Sequence, residues 1–125
     1  MSIKIISTPS APSAIGPYSQ AVVCGGMVYI SGQIAINPLT NTIDTGDIVG
    51  QTEQIMKNLG EILKAAGSSF DKAVKTTCFL ADMNHFAVFN EIYGKYFTSK
   101  PARSCVAVRT LPKNVLVEVD VIASL

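Results

Sequence analysis

The chain has 125 residues, 48% of them hydrophobic and only 15% charged, with a formal net charge of +1 at pH 7. This length supports one hydrophobic core and excludes separate cofactor and substrate domains, so a single domain over residues 1–125 is expected. Soluble domains average about 25% charged residues, so part of this sparsely charged surface is expected to lie against other copies of the chain.

In chain order, residues 3–7 read as a first strand and the Pro- and Ser-rich segment 8–13 as loop. Residues 18–24 and 27–31 are β-rich runs joined by Gly25-Gly26, which predicts a hairpin because both glycines tolerate positive φ. Residues 37–41, Asn-Pro-Leu-Thr-Asn, form another turn. Asp47 is suited to cap a helix that runs to Ala66 and stops at Gly67, with Ile55, Met56, Leu59, Ile62, Leu63 and Ala66 as its apolar stripe. A strand over 73–81 follows, then a second helix over 84–97 that buries Phe86, Phe89, Ile92, Tyr93, Tyr96 and Phe97. The last two strands, 104–109 and 115–123, flank a turn at 110–114. Their alternation assigns Val106 and Val108, with Val115, Val117, Val119 and Val121, to the face beneath the helices. Arg103, Cys105, Ala107 and Arg109, with Glu118 and Asp120, fall on the opposite face. The order β-β-β-α-β-α-β-β is that of an α+β sandwich with both helices on one side of a sheet.

The side chains available for chemistry are few. The lysines are scattered from Lys4 to Lys113 without a run, which argues against a nucleic-acid footprint. Cys24, Cys78 and Cys105 form no Cys-x-x-Cys pair and cannot all be bonded within one chain, which points to a reduced, cytoplasmic setting. The first residues lack the long apolar stretch of a signal peptide, and no uncharged apolar segment is long enough to span a membrane. His85, the one histidine, reads as a helix-terminus residue, and with the cysteines dispersed no metal-ligand spacing is present. Neither glycine-rich phosphate-binding motif occurs. Chemistry is therefore expected from Arg, Tyr, Cys, Ser and carboxylate groups, without metal or cofactor.

Arg103 follows Lys100-Pro101-Ala102 at a strand start, where its planar fork suits either a carboxylate ligand or a structural ion pair. Glu118, mid-strand, reads either as a general acid or base or as a solvated strand residue. Cys105 has no neighbouring base to make it a thiolate, so a packing role, or a backbone carbonyl that accepts from water, is expected. Tyr18 follows a Gly16-Pro17 turn that sets its ring at a pocket rim. Ser31-Gly32-Gln33 ends a strand where the glycine lets a ligand approach the backbone.

Together, residues 14–21 (Ala-Ile-Gly-Pro-Tyr-Ser-Gln-Ala), 28–34 (Val-Tyr-Ile-Ser-Gly-Gln-Ile), 90–93 (Asn-Glu-Ile-Tyr), 101–106 (Pro-Ala-Arg-Ser-Cys-Val) and 117–119 (Val-Glu-Val) resemble the motifs of the reactive intermediate deaminase A (RidA, or YjgF) family. The resemblance covers nearly the whole chain; Val119 stands where isoleucine or methionine is more usual. It implies a chorismate-mutase-like fold in which the strand before the second helix lies between the last two strands. It also implies a homotrimer with sites between subunits. The implied activity is cofactor-independent hydrolysis of enamines and imines, such as 2-aminoacrylate and 2-aminocrotonate, to 2-keto acids and ammonia. In that reading Arg103 binds the substrate carboxylate, Ser31 and Gly32 hydrogen-bond the ligand, and Tyr18 and Asn90 line the cleft. Glu118 and the Cys105 carbonyl position the attacking water. Two other readings accompany the family: an endoribonuclease or translation inhibitor, and a non-catalytic 2-keto-acid binder or chaperone.

Overall fold

The computed structural model describes residues 2–125. The glycine pair forms the expected hairpin: strands β2 (Ala21–Cys24) and β3 (Met27–Gln33) pair antiparallel across Gly25 and Gly26, whose φ angles of 60° and 76° suit glycine. Strand β1 (Lys4–Ile6) pairs with the other edge of β2. β2 begins at Ala21 rather than Tyr18 because the Tyr18 N–H folds back on the Gly16 carbonyl at 2.8 Å, making this segment a turn. The Asn-Pro-Leu-Thr-Asn turn closes a small hairpin of β4 (Ile36–Asn37) and β5 (Thr42–Ile43).

Helix α1 (Ile48–Ala66) has the ends its sequence predicts. The Asp47 carboxylate accepts from the Gly50 N–H at 2.6 Å, and Gly67 closes the helix in the left-handed region at φ 82°. Strand β6 (Ala73–Leu80) follows. Asp82 then accepts from the Asn84 N–H at 2.8 Å and caps a 3₁₀ turn, Met83–His85, so the regular helix α2 (Phe86–Tyr96) starts later than the apolar pattern suggests. Strand β7 (Ala102–Ala107), a 3₁₀ turn at Pro112–Asn114 and strand β8 (Val117–Ser124) complete the chain.

The sheet order is β1-β2-β3-β8-β6-β7, with only β6 and β7 parallel. The last two strands are thus no hairpin: β6 lies between them, and α2 is the crossover that parallel pairing requires. Both helices cover one face. Ile55, Met56, Leu59, Ile62 and Leu63 of α1, with Phe89 of α2, close over Val28, Leu80, Val117, Val119 and Val121, all fully buried.

One face assignment is reversed. β7 pairs with β6 in the register Thr76↔Arg103 and Cys78↔Cys105, and Thr76 and Cys78 are buried beneath the helices. Arg103, Cys105 and Ala107 therefore share the helix side, while Val106, 46% exposed, belongs to the open face; Val108 and Arg109 lie beyond the strand. The physical reason is that β7 is an edge strand, partly covered on one side only, with small or apolar residues on both. Arginine is tolerated on the helix side because its stem and planar head lie along apolar surface while its end reaches solvent. Glu118, opposite Phe79, and Asp120, opposite Thr77, do occupy the open face. That face is otherwise largely apolar, with Ile5, Val22, Tyr29, Phe79, Val106 and Ile122 around Lys75 and the two acids.

Candidate functional site

Of the candidate residues, Tyr18, Gly32 and Glu118 line one cleft and Asn90 and Arg103 a second, while Ser31 and Cys105 lie outside both linings, next to Gly32 and two residues from Arg103. The first, of about 260 Å³, is built round an irregularity in β3. Ile30 faces Val121 and Gln33 faces Val119, so Ser31 and Gly32 together oppose Asp120 in a bulge that lifts them from the ladder. The Ser31 N–H donates to the Gln20 carbonyl at 3.0 Å and the Ser31 hydroxyl to the Ser19 carbonyl at 2.6 Å. Both of its donors are thus spent on holding the turn that carries Tyr18, and its hydroxyl oxygen is left to accept. Tyr18, 52% exposed, stands at the rim.

Two buried amides fix the walls. Gln20 accepts from the Thr8 N–H (2.7 Å) and donates to the Thr8, Ala11 and Pro12 carbonyls (3.0, 3.3 and 2.7 Å), bolting the N-terminal loop to the start of β2. Asn58 of α1 donates to the carbonyls of Ile34 (3.3 Å) and Ile36 (2.9 Å), whose residues line the cleft with Ile15 and Pro112. Glu118 enters from β8, half-buried. Its carboxyl group overlies Gly32 so closely that a Cβ at position 32 would come within 2.8 Å of the carboxyl carbon. Burial, and secondly the neighbouring Asp120 carboxylate, push the Glu118 carboxyl above its ordinary range. Asp120 is raised too, by burial, against the opposing pull of its hydrogen bonds from Thr77 and the charge of Lys75.

The second cleft lies between α2 and β7, lined by Asn90, Tyr93 and Arg103. The Arg103 guanidinium carbon sits 4.7 Å from the Tyr93 ring centroid and 5.4 Å from that of Phe86, and its Nη1 donates to Asn90 Oδ1 at 2.7 Å. Tyr93 is held in turn by a buried 2.7 Å hydrogen bond between its hydroxyl and that of Thr76. The Cys105 thiol packs toward the core and is pushed up by burial, with Arg103 pulling weakly the other way, so it is no ready thiolate. The backbone of Cys105 faces elsewhere. The Val108 N–H meets the Leu80 carbonyl at 2.9 Å, so the two-residue period turns the N–H and C=O of Cys105 away from β6, to the free sheet edge.

One chain does not bring the two clefts together. Glu118 and Arg103 are two strands apart across the sheet and three residues apart along it, a backbone separation of about 14 Å from strand geometry, and they point from opposite faces. His85 lines neither cleft. Among the described residues no group of three or more His, Cys, Asp or Glu side chains is arranged to hold a metal ion, and no helix is long and apolar enough to cross a membrane. Sequence reasoning missed the partners of Arg103, treating Phe86 and Tyr93 as core, and missed the clamp made by Gln20. A signal existed for the first: Phe86, Asn90 and Tyr93 fall at i, i+4 and i+7 and so share one helix face.

The family described as Endoribonuclease L-PSP matches this chain over residues 8–125. Over 121 residues the chain is 52% identical to the 2-iminobutanoate/2-iminopropanoate deaminase of Mus musculus, covering 96% of this chain and 90% of that protein. It is 50% identical to a RutC family protein of Synechocystis, covering 100% of this chain and 98% of the relative. The crystal structure of E. coli TdcF with bound serine superposes with a TM-score of 0.92 at 44% identity, covering 98% of each chain.

Proposed function

This chain belongs to the Endoribonuclease L-PSP family, and from that premise we propose that it hydrolyses 2-imino acids, and the enamines that tautomerise to them, to 2-keto acids and ammonia. The observation that carries the reading is Glu118: a half-buried carboxyl, raised above its ordinary range, seated over a glycine at the mouth of an apolar cleft. A carboxyl raised in this way holds a proton more readily than a free glutamate, which suits it to exchange one with a reacting group. An imine carbon is already electrophilic, so water adds to it without a metal or covalent intermediate. Glu118 takes a proton from that water as the C–O bond forms, with the Cys105 carbonyl as second acceptor. It returns that proton to the nitrogen, giving a carbinolamine; the proton of the new hydroxyl then passes to the nitrogen as the C=O bond forms and the C–N bond breaks, so ammonia leaves and a keto group remains. Arg103 holds the substrate carboxylate, and Tyr18, Gly32, Ser31 and Asn90 bound the cleft. The serine named in the TdcF structure, a small molecule that carries a carboxylate beside a nitrogen-bearing carbon, supports a ligand of this class.

Arg103 and Glu118 act on one substrate only if they come from different copies. The largely apolar open face, uncovered in one chain, is what such copies pack together, three to a ring as the family resemblance implies. The test uses 2-aminoacrylate generated in situ. Arg103→Ala and Glu118→Gln are each expected to fall to near the spontaneous rate, and refolding them as a mixture is expected to restore about a quarter of the sites, those drawing an intact residue from each parent. A single-chain site gives no recovery. Retention of wild-type turnover by Arg103→Ala overturns the carboxylate clamp. The ribonuclease reading in the family's description predicts RNA binding with a steep salt slope, which a net charge of +1 and dispersed lysines argue against.

A further inference from the structure

We propose that Phe86 and Tyr93 are positioning residues that hold the Arg103 guanidinium as a flat, unneutralised anion clamp; this rests on the carboxylate-binding role given to Arg103 above. An arginine at a strand start is ordinarily met by a carboxylate. Here its polar partner is neutral, the Asn90 amide oxygen, which takes one N–H of Nη1 at 2.7 Å. The cation is stabilised instead by two ring faces, at 4.7 and 5.4 Å.

The two kinds of partner differ in what they leave free. A carboxylate bonds the guanidinium in its plane, cancels the charge and occupies the donors a ligand needs. Aromatic rings stabilise the cation without cancelling its charge, so the charge and the N–H groups not bonded to Asn90 stay available to a ligand. The platform is itself rigid. Tyr93, 7% exposed, is tied to Thr76 on β6 by its hydroxyl and stacks on Phe97 with ring centroids 4.5 Å apart at 27°. Phe86 packs against the same core. The rotamer freedom of a long side chain, normally lost on binding, is here lost on folding, so the clamp meets its ligand already ordered.

The test has two independent readouts on wild type, Tyr93→Phe, Tyr93→Leu and Phe86→Leu. The chain has only two arginines, Arg103 and the exposed Arg109, so their side-chain Nε–Hε resonances are assigned by single substitution. In wild type and Tyr93→Phe the Arg103 signal is expected to be displaced by ring currents and slow to exchange; in the leucine variants it moves to the position and exchange rate of Arg109. The second readout is competitive binding of 2-oxobutanoate against its neutral amide. Tyr93→Leu is expected to weaken the keto acid about tenfold and leave the amide unchanged, while Tyr93→Phe stays near wild type. An Arg103 resonance already free in wild type, or unmoved in the leucine variants, overturns the proposal whatever the site binds. Equal loss of both ligands also overturns it, since that is what a merely structural residue gives. If Tyr93→Leu does not fold, Phe86→Leu carries both readouts. If wild type binds neither ligand, the functional reading fails while the resonance still decides the positioning.

Discussion

Replacing Glu118 by glutamine separates activity from stability with opposite signs. Glutamine has the same shape and keeps the contact over Gly32, but it neither takes up a proton nor repels Asp120. If Glu118 transfers the proton as proposed, its loss is expected to lower kcat by about 10² to 10⁴-fold, with KM little changed because the proposal assigns the substrate carboxylate to Arg103. Stability moves the other way. The Glu118 carboxyl is raised in the fold by burial and by Asp120. A folded-state pKa above the unfolded value of 4.5 means the group favours the fold below that pH, and that this contribution is lost as pH rises through the folded pKa. At pH 7, above the unfolded value, the group therefore weakens the fold, and Glu118→Gln is expected to unfold at a higher urea concentration than wild type. The gap closes as pH falls below about 4.5. The acid limb of the wild-type kcat profile is displaced above that of a free glutamate and is absent in the variant. Stopped-flow hydrolysis with urea titrations at several pH values measures all of this. A variant with wild-type kcat, or one less stable than wild type at pH 7 and no different at pH 4, refutes the reasoning.

Three further outcomes follow from the same geometry. Gly32→Ala forces the Glu118 carboxyl aside and is expected to cost about 10²-fold in kcat, with a circular dichroism spectrum like that of wild type. Gln20→Leu removes the four hydrogen bonds that hold the N-terminal loop, a loss of about 2 to 4 kcal/mol in urea unfolding, and 2-oxobutanoate binding weakens as the Tyr18 turn loosens. Cys105→Ser keeps the backbone carbonyl and should retain most activity, and iodoacetamide should leave wild-type turnover intact; loss of turnover in either experiment makes the thiol a nucleophile.

Where a pattern was set by one interaction, it was legible. The α1 stripe faces a single core, and Asp47, Gly67 and Gly25-Gly26 report local backbone geometry that no distant contact alters. The side that Arg103 faces was illegible because β7 is an edge strand: Val106 and Cys105 are both acceptable to a half-covered surface, and only the parallel register with Cys78 on β6 decides between them. That register is fixed by the crossover through α2, a non-local fact. The site divided in the same way. Tyr18, Ser31, Gly32, Arg103, Cys105 and Glu118 stood out by residue type and position and Asn90 by motif resemblance; Tyr18, Gly32 and Glu118 line one cleft, and Asn90 and Arg103 another. The aromatic face of α2 was read wholly as core, although Phe86 and Tyr93 turn toward an arginine on another element. Their helical spacing was visible, but nothing in the chain ahead of β7 announces what they meet.

Strand β7 has a consequence for handling the protein. It ends the sheet with six residues whose outward N–H and C=O groups are unpaired within the chain, an arrangement that templates pairing with foreign strands unless a charge guards it. The one charge on the strand, Arg103, is turned onto the rings of α2 and so does not serve as a gatekeeper. A substitution that frees chains from one another would then reveal itself less as soluble monomer than as precipitate and thioflavin-positive material. Lysine introduced at Ser104, on the face opposite Arg103, is the change that would keep such chains in solution.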